Sequence, residues 1–203
     1  IIMANLAGKS GAALAPVVSS ICKEQNKNVL SFAIMPFKFE KNRIFQSGIS
    51  LKRLKMNSDS TIIIDNDAIL DSNPDFTTQR CYDVTNNAIK CLATSIKSSS
   101  LTDDTNIMST SRSTENIEDS VKDSIKMLYE DAPPNSIKRS MLYVYGADKI
   151  PVGVINSISN ILGGIFDQEN SQVDMSTSGN TNVVLLSAIA GETRFDKYDP
   201  LGM

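Results

Sequence analysis

The 203-residue chain carries 20 Lys and Arg against 23 Asp and Glu, a net charge of -3, with 41% hydrophobic residues. That is the balance of a globular protein of one large domain or two small ones, without the basic stripe that suits nucleic acid. There is no histidine, which excludes Ser-His-Asp and Cys-His catalysis and His-ligated zinc or haem within the chain.

No apolar run approaches the roughly 18 to 20 residues that span a bilayer, so direct membrane insertion is not expected. The cysteines are Cys22, Cys81 and Cys91, an odd number without CxxC spacing. They read as free thiols in a reducing compartment, which fits an expected cytoplasmic location. The chain opens on Ile1 with an apolar strand that has no partner before it. The expectation is that an N-terminal part of a longer protein is missing.

The first 70 residues alternate in type. Residues 1–6 read as a strand, 12–25 as a helix, 28–35 as a buried strand, 41–56 as an amphipathic helix and 60–67 as another buried strand. This order implies a parallel α/β sheet with right-handed crossovers and helices on both faces. In the first helix Leu14, Val17, Val18, Ile21 and Cys22 share one face and are the expected packing face. The cluster Asp71–Ser72–Asn73–Pro74–Asp75 reads as a turn into one long helix over 75–100. Cys81, Thr85, Ala88, Leu92 and Ile96 line one side of that helix.

Residues 98–113 are rich in Ser, Thr and Asp and read as a loop. Ile117, Val121, Ile125 and Leu128 mark a short helix, and 130–136 a break. A strand follows at 141–146. A helix opens on Pro151 in its first position and stops near Gly163–Gly164. The apolar stretch 182–191 reads as a last strand. The second half is therefore expected to be α+β, around a sheet of its own.

Residues 5–18, NLAGKSGAALAPVV, join the first strand to the first helix through small residues. Such a turn aims backbone N–H groups and a helix N-terminus at one point, where phosphate is the usual occupant. Gly8-Lys9-Ser10 matches the end of a Walker A motif, but the position five before Gly8 is Met3 and not glycine. A P-loop, another phosphate loop and a merely structural turn all remain open on this stretch alone.

The residues downstream extend the pattern. PFKFEKNR (36–43), SDSTIIIDNDAIL (58–70) and YDVTNNAI (82–89) follow in order, and NVVLLSAIAGETRFD closes the series. Together they resemble the tubulin/FtsZ superfamily of polymerising GTPases, with departures of the archaeal FtsZ-like kind. Anchored on Ala15-Pro16-Val17, the opening turn takes the place of the family's glycine-rich signature loop. The resemblance implies a nucleotide-binding segment over 1–74, the C-terminal part of a Rossmann-like GTPase domain. It implies a central connecting helix over 75–100 and a smaller α+β domain over 101–203.

It further implies GTP or GDP as ligand, leaves Mg2+ open as its counter-ion, and points to cell division as the setting. Gly8, Lys9, Ser10 and Gly11 would cradle phosphate, with Lys9 either adding charge or blocking the loop. Glu40 and Arg43 match ribose- and phosphate-side contacts. Tyr82 would stack on the guanine, and Asn66 and Asn86 would bond its edge, since a carboxamide offers both donor and acceptor. The family's hydrolytic loop, N-x-D-x-x-D, corresponds to 101–112. Aligned on Asn106, its acidic positions become Met108 and Ser111; aligned on acids, Asp103 and Asp104 stand adjacent.

Weakened or absent hydrolysis is therefore expected. The implied partners are copies of the chain in a head-to-tail polymer, or related FtsZ/tubulin-like subunits. Two alternatives stand beside this reading: a nucleotide-free scaffold that co-assembles with an active relative, and an unrelated P-loop enzyme.

Overall fold

A computed structural model of the chain describes residues 1–96, 105–111, 116–146, 148, 150–166, 169, 171–176 and 181–199. The first half runs β1 (Ile2–Asn5), α1 (Lys9–Glu24), β2 (Leu30–Met35), α2 (Lys41–Met56), β3 (Ser60–Asp65), α3 (Asn66–Ser72) and α4 (Thr78–Ser95). The second half adds β4 (Thr105–Thr110), α5 (Ile117–Asp131), β5 (Ile137–Tyr145), α6 (Val152–Phe166), β6 (Ser171–Ser176) and β7 (Asn182–Ile189). A 3-10 turn at Arg194–Tyr198 ends the described chain.

All seven strands form one sheet in the order β1-β2-β3-β4-β7-β5-β6. The first four run parallel; β7 is antiparallel to β4 and β5, and β6 is parallel to β5. The second half thus continues the sheet of the first instead of building its own. The join is β4, which pairs with β3 from Thr61↔Thr105 to Ile64↔Met108.

β4 falls where composition reads as a loop. Its polar residues find partners inside the sheet. Asn106 Nδ2 donates to Ser60 Oγ at 3.0 Å and Thr110 Oγ1 to the Val183 carbonyl at 2.7 Å. Hydrogen-bonded in this way, they can be buried at little cost. Ile107 and Met108 supply one apolar side chain to each face of the sheet.

Side chains from β4, β5 and β7 pack on α5 and α6 on one face, with Ile107, Leu142, Val144, Val183 and Leu185 in that core. On the same face further along, Ala33, Met35 and Ile63 pack against α1, α2 and the terminal Phe195. The opposite face holds α4, whose Ala88, Ile89 and Leu92 lie on Phe32, Ile62, Ile64 and Met108. Each fully buried aliphatic side chain of this kind contributes about 1.5–3 kcal/mol.

Several expectations are corrected. α1 buries Ala12, Ala15, Pro16 and Ser19, while Leu14, Val17, Val18 and Ile21 are exposed on its far side. The predicted long helix is shorter, preceded by α3, which Asp65 caps by accepting from Asp67 N (2.9 Å) and Ala68 N (3.2 Å). Pro151 precedes α6 rather than opening it, and the helix runs through Gly163–Gly164 to Phe166. The strand β6 has no counterpart in the sequence reading.

Candidate nucleotide site

The parallel strands β1, β2 and β3 end at one edge of the sheet, where α/β folds gather their ligand-binding loops. The first of these loops is tightly built. Asn5 Oδ1 accepts from Ala7 N at 2.9 Å, and the Asn5 carbonyl from Gly8 N at 3.1 Å. Gly8 then stands as N-cap of α1 in extended conformation, φ -85° and ψ 138°, with no side-chain cap on the helix. The first-turn N–H groups of Lys9, Ser10 and Gly11 therefore point outward as donors.

Gly11 is required by packing. A Cβ there would lie 2.2 Å from the Asn5 carbonyl oxygen. Gly8 is less constrained, its nearest contact being 3.4 Å.

A cleft of about 640 Å³ opens beside this turn, lined among others by Gly8, Lys9, Ala12, Asn42, Arg43 and Gln46. Lys9 is exposed and forms part of its wall, so the lysine leaves the cleft open. Arg43, one turn into α2, donates from a guanidinium NH to the Ala7 carbonyl. Its Nε lies 4.0 Å from Glu40 Oε1. Glu40 Oε2 accepts from Phe37 N at 3.1 Å, which fixes the carboxylate at the start of α2. Arg43 keeps further donors free for an anion, since a guanidinium carries five.

Tyr82 is half-buried and stands edge-on to Phe37, centroids 5.5 Å apart; Phe37 in turn stacks on the exposed Phe39 at 5.0 Å. Burial raises the Tyr82 hydroxyl pKa above its usual value, and the neighbouring Glu40 charge adds to this while Arg43 opposes it. Asn86 is exposed one turn further along α4. Asn66 is placed differently. It is 1% exposed, its amide donating to the Met35 carbonyl at 3.3 Å and its oxygen accepting from Thr85 Oγ1 at 2.9 Å. Both ends of its carboxamide already serve the protein.

Gly8, Lys9 and Arg43 thus share one cleft, with Glu40 beside Arg43 and Tyr82 within electrostatic reach of both. Ser10 and Gly11 sit in the same turn, and Asn66 lies beneath the surface. Asp103 and Asp104 lie outside the described residues. Asn106, Met108 and Ser111, the other alignment of the hydrolytic loop, are all buried. Asn106 and Met108 belong to the interior of β4, so that alignment supplies no loop and no carboxylate.

Sequence reasoning missed Asn42 and Gln46 of the cleft wall, although their i,i+4 spacing on a helix beginning beside Arg43 was a usable signal. It also missed a buried cluster at the end of β3, where Arg194 meets Asp65, Asp67 and Asp131.

The fold defines the class: an α/β protein whose parallel sheet is extended by mixed strands. Residues 1–74 match the family described as Tubulin/FtsZ family, GTPase domain. The cell division protein FtsZ 2 of Halobacterium salinarum is 34% identical over 83 residues, covering 41% of this chain and 21% of that protein. The cell division protein FtsZ of Aquifex aeolicus is 38% identical over 69 residues, covering 34% and 19%.

Among solved structures, an empty FtsZ dimer of M. jannaschii superposes with a TM-score of 0.69 at 20% identity, over 93% of this chain and 62% of that one. A GTPγS-bound protofilament of CetZ2 from Haloferax volcanii gives 0.63 at 16% identity, over 98% and 68%. Over nearly its whole length the chain shares the fold of these FtsZ and CetZ structures, and its residues 1–74 carry the match to the GTPase-domain family. Its alignment to the curated FtsZ 2 relative spans about a fifth of that protein's length. Among the described residues, no helix is long and apolar enough to cross a membrane.

Proposed function

We propose that the chain binds a guanine nucleotide at the C-terminal edge of β1–β3, as a cytoplasmic, FtsZ-like cytoskeletal subunit. The supporting observation is the open cleft at the uncapped N-terminus of α1, walled by Lys9 and Arg43, within the segment that matches the GTPase-domain family. The phosphates of GTP or GDP would lie on the N–H groups of Lys9, Ser10 and Gly11. The helix dipole, Lys9 and Arg43 would neutralise them. Glu40 would face the ribose, and Tyr82 and Asn86 the base. Asn66 would act from below by holding the Met35 carbonyl and Thr85.

Mg2+ would be carried mainly by phosphate oxygens and water; the described residues contain no group of three acidic or thiol side chains placed to hold a metal ion. In this reading residues 1–74 are the nucleotide-binding part, 75–100 the connector and 101–203 the C-terminal part. Subunits would associate head to tail, with copies of this chain or with related subunits. Hydrolysis would be weak or absent, leaving Asp103 and Asp104 as the remaining acids to position water.

One observation favours the scaffold alternative: Asn66 is buried with both ends of its carboxamide engaged. The deciding experiment is displacement of a fluorescent GTP analogue by GTP, GDP and ATP. Micromolar binding competed by guanine nucleotides, not by ATP, and lost in Asn86→Ala supports the site. Absence of binding by well-folded protein leaves the scaffold reading.

A further inference from the structure

The buried cluster at the end of β3 brings three carboxylates and one guanidinium together from four parts of the chain. Arg194, from the terminal 3-10 turn, donates to Asp65 Oδ2; its NH2 lies 3.8 Å from Asp67 Oδ2 and its Nε 3.1 Å from Asp131 Oδ1. The three Asp side chains are 1–3% exposed and that of Arg194 17%. Burial, followed by the charge of Asp65 and a hydrogen bond with it, pushes Asp131 well above the usual carboxylate range. That favours a proton on Asp131 and leaves the guanidinium to balance Asp65 and Asp67.

The cluster is linked to the cleft through hydrogen bonds. Asp67 Oδ2 accepts from Lys38 N at 2.6 Å. Lys38 lies in the loop 36–40, whose Phe37 N bonds Glu40 Oε2 and whose Phe37 carbonyl accepts from Glu40 N at 2.9 Å. The Glu40 carbonyl accepts from Arg43 N at 2.8 Å, and Arg43 reaches the Ala7 carbonyl in the first loop. A path of hydrogen bonds and ion pairs therefore runs from the C-terminal turn, through Asp67 and the Lys38 amide, to the wall of the cleft.

The terminal turn is itself firmly seated. Thr193 and Asp196 form a reciprocal capping box, Phe195 is 1% exposed in the α1/α2 core, and a Cβ on Gly48 of α2 would lie 2.6 Å from the Tyr198 backbone.

We propose that Arg194 is a positioning residue for the nucleotide cleft, holding Asp67 so that Asp67 holds the Lys38 amide and sets the loop that presents Glu40 and Arg43. This rests on the nucleotide reading for its consequence, though not for its first test. A guanidinium suits the task because its fork spans carboxylates on separate elements, which a lysine's single ammonium does not. Asp67, with its oxygen shared between Lys38 N and the guanidinium, carries the message.

The experiment is amide hydrogen exchange on the complete chain, followed by nucleotide titration. Arg194→Met alone strands buried carboxylates and risks misfolding. Arg194→Met/Asp65→Asn removes the guanidinium together with its direct carboxylate partner, leaves asparagine to cap α3, and keeps the test open. In that double variant, exchange at Lys38 rises about 10-fold or more, the scale of a lost charge-assisted bond, while amides in β5 and β7 are unchanged. Arg194→Lys restores part of the protection. Adding Asp67→Ala to the double variant produces no further increase, because the same link is already broken.

If the parent binds nucleotide, the double variant binds it several-fold more weakly. If the parent binds none, the nucleotide reading fails while the exchange data still decide the role of Arg194. Unchanged Lys38 exchange in the folded double variant overturns the proposal, as does loosening spread equally over the whole sheet.

Discussion

Gly11 offers a sharp test of how the first loop is built. It lies in the first turn of α1, where alanine would ordinarily stabilise a helix by about 1 kcal/mol over glycine. The structure reverses that sign. A Cβ would sit 2.2 Å from the Asn5 carbonyl oxygen and 3.0 Å from its carbon, both of them backbone atoms. Relief requires the β1–α1 turn to open by about 1 Å, and overpacking of that kind costs about 1–3 kcal/mol. The net expectation for Gly11→Ala is no gain and a loss of up to about 2 kcal/mol.

Gly164, within α6, is the matched control, because a Cβ at that position would meet nothing within 4 Å. Gly164→Ala should gain about 0.5–1 kcal/mol. Urea unfolding of both variants, compared at unchanged m-value, reads the difference. A Gly11→Ala protein as stabilised as Gly164→Ala would refute the close approach of β1 to α1.

Three further outcomes follow from other parts of the molecule. Leu92→Ala, at a side chain with no exposed surface between α4 and the sheet, should cost about 2–5 kcal/mol in chemical denaturation; a cost below about 1 kcal/mol would mean that α4 is not seated there. Asn116→Ala removes the acceptor for Glu118 N at 2.9 Å and Asp119 N at 3.4 Å at the start of α5, and should cost about 1 kcal/mol, with Asn116→Asp retaining most of the stability.

Asp67 is raised from 3.8 to about 6, by burial first and the neighbouring Asp65 second. Its protonated form is favoured in the folded state, so its contribution to stability falls as pH rises from about 4 to about 6. Asp67→Asn should flatten that part of the stability profile, and an unchanged slope would show that Asp67 does not titrate there.

The legible parts of the fold were those where one physical signal dominated. β2, β3 and β7 are apolar runs at parallel or central positions, and α2, α4 and α5 repeat buried residues at helical spacing. β4 was hidden because Asn106, Ser109 and Thr110 look like loop residues until the sheet surrounds them, with Ser60 and Val183 as partners for Asn106 and Thr110. β6 was hidden for a related reason: Ser171–Ser176 is half-exposed at the sheet edge, with little apolar alternation.

The face of α1 was misread because both sides are usable. Alanine and serine permit the close approach to α2 and β1, while the larger aliphatics face outward. At the site, the small-residue turn, Lys9 and Arg43 could be placed in advance because each announces its chemistry locally. The burial of Asn66 and the role of Arg194 depend on contacts 19 to 129 residues apart in sequence, which no local pattern carries.

The most direct measurement for the guanine-nucleotide site is amide hydrogen exchange of the chain with and without saturating GTP, with ATP as the comparison. The account predicts protection of Lys9, Ser10 and Gly11, together with the start of α2 around Arg43, under GTP and not under ATP. Exchange at these amides that is indifferent to GTP, or protected equally by ATP, would contradict it.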